Sequence, residues 1–218
     1  GAEQENFARE LMELHTVGVD GFTEADVVAA AKAWTGYNTR REHFGGDDIS
    51  FHYASGAHDN SQKTFLGTTR NWSGPETVDE LCLGSGRTDT SRFVTRKLWR
   101  FFVQTNPTPA SLDTVAATFA ASDLDIGTVV RTILLHDDFW APAARFALVK
   151  SPVEFVVDLL RRFDLRVDPT GDGDGTTWLA GDSLFWLIGY TGQELFEPPN
   201  VNGWGVGTSW LSTATMWA

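Results

Sequence analysis

Residues 3–36 read EQENFARELMELHTVGVDGFTEADVVAAAKAWTG, and their spacing sets the class of fold. Phe7, Leu11 and Leu14 recur at i, i+4 and i+7, one face of a helix over residues 3–16, and Gly18 follows as a stop. Thr23 opens a second helix with Asp26 three positions on, an acidic form of the capping box, and Gly36 ends it. Two helices joined by a short glycine-containing turn predict a mainly α chain.

The pattern changes from Tyr37 to Gly67. Gly45-Gly46-Asp47-Asp48 is turn chemistry, Ile49, Phe51 and Tyr53 alternate, and Thr64-Phe65-Leu66 is a further short strand. Helical spacing resumes near 75–83, 89–103, 111–121 and 125–136, with Pro75 suited to a first turn. In the 89–103 segment Val94, Leu98, Phe101 and Phe102 are expected to form the inward face, opposite an arginine row. Ser151-Pro152-Val153-Glu154 combines an N-cap, a first-turn proline and a capping-box glutamate. A loop over 168–176, a helix near 181–189, an irregular stretch at 190–207 and a last helix from Thr208 complete the reading. The expected architecture is one multi-helix globular domain over residues 1–218 with a small β-hairpin insertion around residues 40–66.

The chain has 218 residues, 29 acidic against 17 basic side chains, and a formal net charge of −12. That balance argues against binding to nucleic-acid phosphates or anionic lipid. No stretch approaches the roughly 18 apolar residues of a transmembrane helix, and no charged n-region with an apolar h-region opens the chain. The single cysteine, Cys82, rules out an internal disulfide and a multi-cysteine zinc site; its apolar neighbours Leu81 and Leu83 predict a buried structural thiol. After Arg166 no Lys or Arg occurs in 52 residues, whereas six acids and five of the nine Trp fall there. The reverse holds at Arg87, Arg92, Arg96, Lys97 and Arg100, where Arg92, Arg96 and Arg100 repeat at i, i+4 and i+8. On a helix they form one basic row, suited to an anion or partner contact or to pairing with the chain's own acids.

Two short motifs have simpler readings than their names suggest. Gly181-Asp182-Ser183-Leu184 spells the string of a serine esterase family, but the last histidine is His136, so no base follows; an N-cap role for Asp182 or Ser183 explains it. Asp168, Thr170, Asp172 and Gly173 echo half of a calcium loop whose closing glutamate is replaced by Leu179. The polar residues of greatest interest are Glu10, Glu13 and His15 on the first helix with His58, Asp59 and Lys63 in the β region. A His-Asp pair on a loop facing a glutamate-rich helix suits a divalent metal bound through nitrogen and oxygen, with Glu10, His58 and Asp59 as its ligands. Arg9 and Glu13 at i, i+4 predict a salt bridge, and Asp59 with His58 also serves simply to shape the turn before Lys63.

Several blocks taken together resemble one family. ENFARELMELHTVG from Glu5, TEADVVAAAKAWTGY, HDNSQKTFLG, RFVTRKLWRFFV, KSPVEFVVDLLR and EPPNVNGWGVGTSWLSTAT are similar, in order, to segments of the bacterial domain of unknown function 1800. The resemblance implies an uncharacterised exported protein, periplasmic or extracellular, of which this chain corresponds to the C-terminal half. It brings no established reaction and no catalytic residue. Three functions follow as expectations: a helical module that binds a protein partner (the N-terminal half or a neighbouring exported protein) in envelope or polysaccharide-related processing; a metal-dependent hydrolase with the Glu/His/Asp set; or a structural component of an extracellular assembly.

Overall fold

The computed structural model describes residues 2–41, 49–103, 106–165, 167–168 and 179–211. The turn expected at Gly45–Asp48, most of the 168–176 loop and the end of the last expected helix lie outside the described residues. The architecture is mainly α with small strand pairs, and the chain divides into two compact units, Gly1–Phe139 and Trp140–Ala218.

The first unit begins with α1 (Ala2–Glu10), continued by a π-helical turn at Leu11–His15. A π turn inserts an extra residue into the helical repeat, and the buried side chains here are Ala8 and Met12, while Phe7 is exposed. Phe7 instead packs edge-on against Trp34, ring centroids 5.0 Å apart. Thr23 and Asp26 form the expected capping box at the start of α2 (Glu24–Ala33). Asp26 is itself buried: Oδ2 accepts from the Thr23 N–H at 2.9 Å and hydroxyl at 2.6 Å, and Oδ1 accepts from the Leu66 N–H at 2.7 Å. One carboxylate thus ties a helix start to a turn forty residues away.

Strands β1 (Tyr37–Arg41) and β2 (Ile49–Tyr53) form an antiparallel hairpin with Tyr37 opposite Tyr53 and Thr39 opposite Phe51. The alternation is that of a strand, but Ile49, Phe51 and Tyr53 are exposed. A second hairpin joins β3 (Lys63–Phe65) to β4 (Thr68–Arg70). Its two-residue turn is Leu66-Gly67, with φ of 44° and 81°, the positive values that let a tight turn follow the strand twist. Ala8, Met12, Val27, Ala30, Phe65, Trp72 and Leu81 close one core beneath these elements, with α3 (Gly74–Cys82) capped by a Ser73/Glu76 box.

A second packing layer is built from α4 (Arg87–Phe102), α5 (Pro109–Ala121) and α6 (Ile126–Leu135), followed by the single turn α7 (Asp137–Trp140). Trp99, Leu112, Val115, Phe119, Val129 and Ile133 are buried there. The inward face of α4 differs from the expected one. Thr90, Ser91, Thr95 and Trp99 are buried, Val94, Leu98 and Phe102 are half-buried, and Phe101 is exposed. Small hydroxyl residues permit close helix approach, and two of them are satisfied: Ser91 Oγ donates back to Arg87 O at 2.7 Å and Thr90 Oγ1 across to Leu81 O of α3 at 2.7 Å, whereas Thr95 Oγ1 is buried with no hydrogen-bond partner among the described residues.

In the second unit, the Ser151/Glu154 capping box starts α8 (Pro152–Arg162), and α9 (Gly181–Tyr190) packs against it. β5 (Val167–Asp168) and β6 (Leu179–Ala180) pair in parallel, and a 3-10 turn at Gly207–Trp210 stands where the last helix was expected. Among the described residues no helix is long and apolar enough to cross a membrane.

Candidate functional site

The His58 turn is positioned by the end of α2. Gly36 sits at φ +85°, where an added Cβ would lie 2.7 Å from the Ala54 carbonyl oxygen and 3.2 Å from the His58 nitrogen. Glycine is required by both the left-handed backbone and this close approach. Next to it, Thr35 holds the turn twice. Its carbonyl oxygen lies 2.9 Å from His58 Nδ1, which selects the tautomer with the proton on Nδ1, and its hydroxyl accepts from the Asp59 N–H at 2.7 Å. Asp59 Oδ1 accepts from Ser61 N at 2.8 Å and Ser61 Oγ at 2.5 Å. These bonds from Ser61 hold the carboxyl below its ordinary range.

Lys63 is the most constrained charge of the group. Its side chain is 1% exposed. The ammonium donates to the Asp59 carbonyl at 2.5 Å, the Ser61 carbonyl at 2.8 Å and Asn71 Oδ1 at 3.0 Å, with Asp59 Oδ1 4.0 Å away. Burial pushes its pKa down and the Asp59 charge opposes that shift. An ammonium has three protons, and all three have an oxygen partner here. The arrangement is a polar clasp that fastens the turn to the second hairpin.

Glu10 ends α1, and Glu13 and His15 lie in the π turn, His15 exposed. Arg9 does not take Glu13 as its partner: two parallel bonds of 2.7 Å join its guanidinium to Glu24 of α2. Among the described residues no group of three or more His, Cys, Asp and Glu side chains is placed to hold a metal ion. Thr35, Ser61 and Asn71 complete the His58–Lys63 assembly, and sequence reasoning missed them. Asp59-x-Ser61 is the one local signal, an Asx-turn pattern; Asn71 carries none.

The basic row on α4 has a different environment. Arg87 donates to the Ala120 carbonyl and to Asp123 Oδ1 at 3.1 Å, and Arg92 pairs with Asp113. Lys97 donates to Leu14 O at 3.1 Å and stands over the Phe93 ring; Arg100 donates to Asn106 Oδ1 at 3.2 Å. Two grooves flank the row, of about 340 and 290 Å³, and Arg92 and Arg96 line both. Neither reaches the His58 turn. Cys82 is half-buried, and burial first, then Asp79, raises its thiol pKa, the opposite of a nucleophile's requirement. α9 begins at Gly181, so Asp182 and Ser183 lie inside its first turn and not at the N-cap position expected of them.

The motif order of the sequence has a direct counterpart. Residues 1–218, the whole chain, match the model of a family described as protein of unknown function (DUF1800). The chain belongs to the DUF1800 family. No curated protein and no solved structure matches this DUF1800 chain. Its clasp and its arginine row are therefore read from their own chemistry.

Proposed function

We infer that this DUF1800 protein is a helical module that binds a protein partner, in envelope or polysaccharide-related processing outside the cytoplasm. The observation that carries the reading is the apolar surface of the second unit. Phe155, Leu159 and Phe163 recur at i, i+4 and i+8 along α8 and just past its end, with Phe155 54% and Phe163 69% exposed. On α9, Trp186 and Tyr190 are i, i+4 neighbours, their rings 6.4 Å apart, and are 63% and 72% exposed. Only Pro152, Val156 and Ile188 are buried among the unit's described residues. Contiguous exposed apolar rows on helices are the mark of surfaces that meet another macromolecule.

The test is chemical cross-linking and co-purification from the native source, comparing the wild-type chain with a Phe163→Glu/Trp186→Glu variant. Capture of a defined partner that the variant loses supports the module reading. Symmetric or filamentous self-association through the same rows would replace it with the structural-component reading. A lone monomer in native material, unchanged by the variant, would overturn both.

A further inference from the structure

In a chain of net charge −12, the segment from Arg87 to Arg100 gathers five cations against one acid, Asp89. Four of the five have internal partners: Arg87 with Ala120 and Asp123, Arg92 with Asp113, Lys97 with Leu14, Arg100 with Asn106. Arg96 is exposed and has no hydrogen bond or ion pair with any described residue. Its two row neighbours are one helical turn away on either side, each about 6 Å along the axis. Like charges at that spacing oppose the helix that carries them, and Arg96, between two guanidinium groups, has no ion pair of its own among the described residues.

The two grooves that share Arg92 and Arg96 are not equivalent. The larger includes Asp20 and Asp89, which balance the arginines. The smaller, about 290 Å³, is lined by Arg92, Arg96, Arg100 and Asn106 together with apolar Pro107 and Leu112, and among the described residues no acid lines it. It borders the start of α5, whose helix dipole adds partial positive charge. At about 30 Å³ per water, the space suits a ligand the size of a small ring bearing a charged group. A long polyanion is disfavoured by the overall negative charge; a compact one, held by short-range bonds, is not.

We propose that this groove on α4 is a binding site for a small anionic ligand, one with a carboxylate or phosphate group and an apolar flank. Arg96 supplies the principal bidentate contact, because its fork of donors matches two anion oxygens and no described residue engages it. Arg100 and Asn106 stand beside it, and Pro107 with Leu112 meets the apolar part. The site lies wholly within the first unit.

The test is calorimetric titration of the full chain at low ionic strength with phenyl phosphate and, separately, benzoate. The two probes share a ring and differ in the anion. Saturable one-to-one binding of at least one probe is expected, weakening with added salt. Arg96→Gln should weaken it about tenfold, the loss of a hydrogen bond to a charged group. Arg96→Lys, which keeps the charge without the fork, should fall between the two, and Arg145→Gln, an exposed arginine of the second unit, should change nothing. Side-chain Nε–Hε signals of Arg96 and Arg100 should shift on titration. Absence of saturable binding by both probes, or wild-type affinity in Arg96→Gln with its circular dichroism unchanged, overturns the proposal.

Discussion

Replacing Lys63 by Met keeps the length of the side chain and removes its three donors. The Asp59 carbonyl, the Ser61 carbonyl and Asn71 Oδ1 then face an apolar chain. Each buried acceptor left without a partner costs about 1–3 kcal/mol. Ser61 and Asn71 are exposed residues whose oxygens water can reach, whereas Asp59 is half-buried. One acceptor therefore carries the full penalty and two a reduced one, while the thioether recovers some apolar burial. The expected loss is about 2–4 kcal/mol, a large share of the ~5–15 kcal/mol that stabilises a typical domain. Urea unfolding followed by tryptophan fluorescence reads it, and Lys63→Met combined with Asn71→Ala should cost less than the sum of the two single changes, because the pair shares a bond. A Lys63→Met variant within about 1 kcal/mol of wild type would show that the clasp is not structural and would return Lys63 to the candidates for chemistry.

Three further outcomes follow from the same structure. Asp26→Ala removes the N-cap partner of Thr23, about 1 kcal/mol, and leaves the Leu66 N–H unpaired, about 1–3 kcal/mol, so urea midpoints should show about 2–4 kcal/mol in total. Trp99 is fully buried against the His136 ring and its Nε1 has no hydrogen-bond partner among the described residues; Trp99→Ala should cost about 3–5 kcal/mol and Trp99→Phe clearly less, and equal losses would mean that the indole N–H is bonded after all. Hydrogen bonds from Ser73 and Ser85 hold Glu76 and Glu80 below the ordinary 4.5. Their contribution is fully present above that value and is lost as pH falls through the depressed ones. Unfolding midpoints should decline below about pH 4.5, with a shallower decline in Glu76→Gln/Glu80→Gln; an identical slope in the variant would contradict this assignment.

What could be read from the sequence was what depends on neighbours in the chain. The capping boxes at Thr23/Asp26 and Ser151/Glu154 are three-residue devices, and both are present. The hairpin at Ile49, Phe51 and Tyr53 was legible because alternation is a backbone property, yet alternation does not say which face meets a core, and these side chains face solvent. Helix faces were misread where polarity and size disagree. On α4, hydrophobicity alone favours Val94 and Phe101, whereas the close approach to its neighbours selects Ser91 and Thr95 beside Trp99. On the first helix, the buried face is that of Ala8 and Met12, which are four residues apart, while Phe7 is exposed and packs edge-on against Trp34.

The candidate site divides in the same way. His58, Asp59 and Lys63 could be singled out because charged and imidazole groups cluster in a glycine-rich segment. Their internal satisfaction could not, because it depends on Thr35 and Asn71 and on two backbone carbonyls. The arginine row was visible from its four-residue spacing. That Arg92 is bound to Asp113, Arg100 to Asn106 and Arg96 to no described residue depends on how α5 and the segment before it pack beside α4.

The claim that matters most for function is that the apolar rows of α8 and α9 are covered in the native setting. Hydrogen exchange read by mass spectrometry, comparing the protein isolated with its native assembly against the purified chain alone, addresses this directly. The account predicts slowed exchange in the native material concentrated in residues 152–162 and 181–190. Identical exchange of both helices in the two preparations would contradict it.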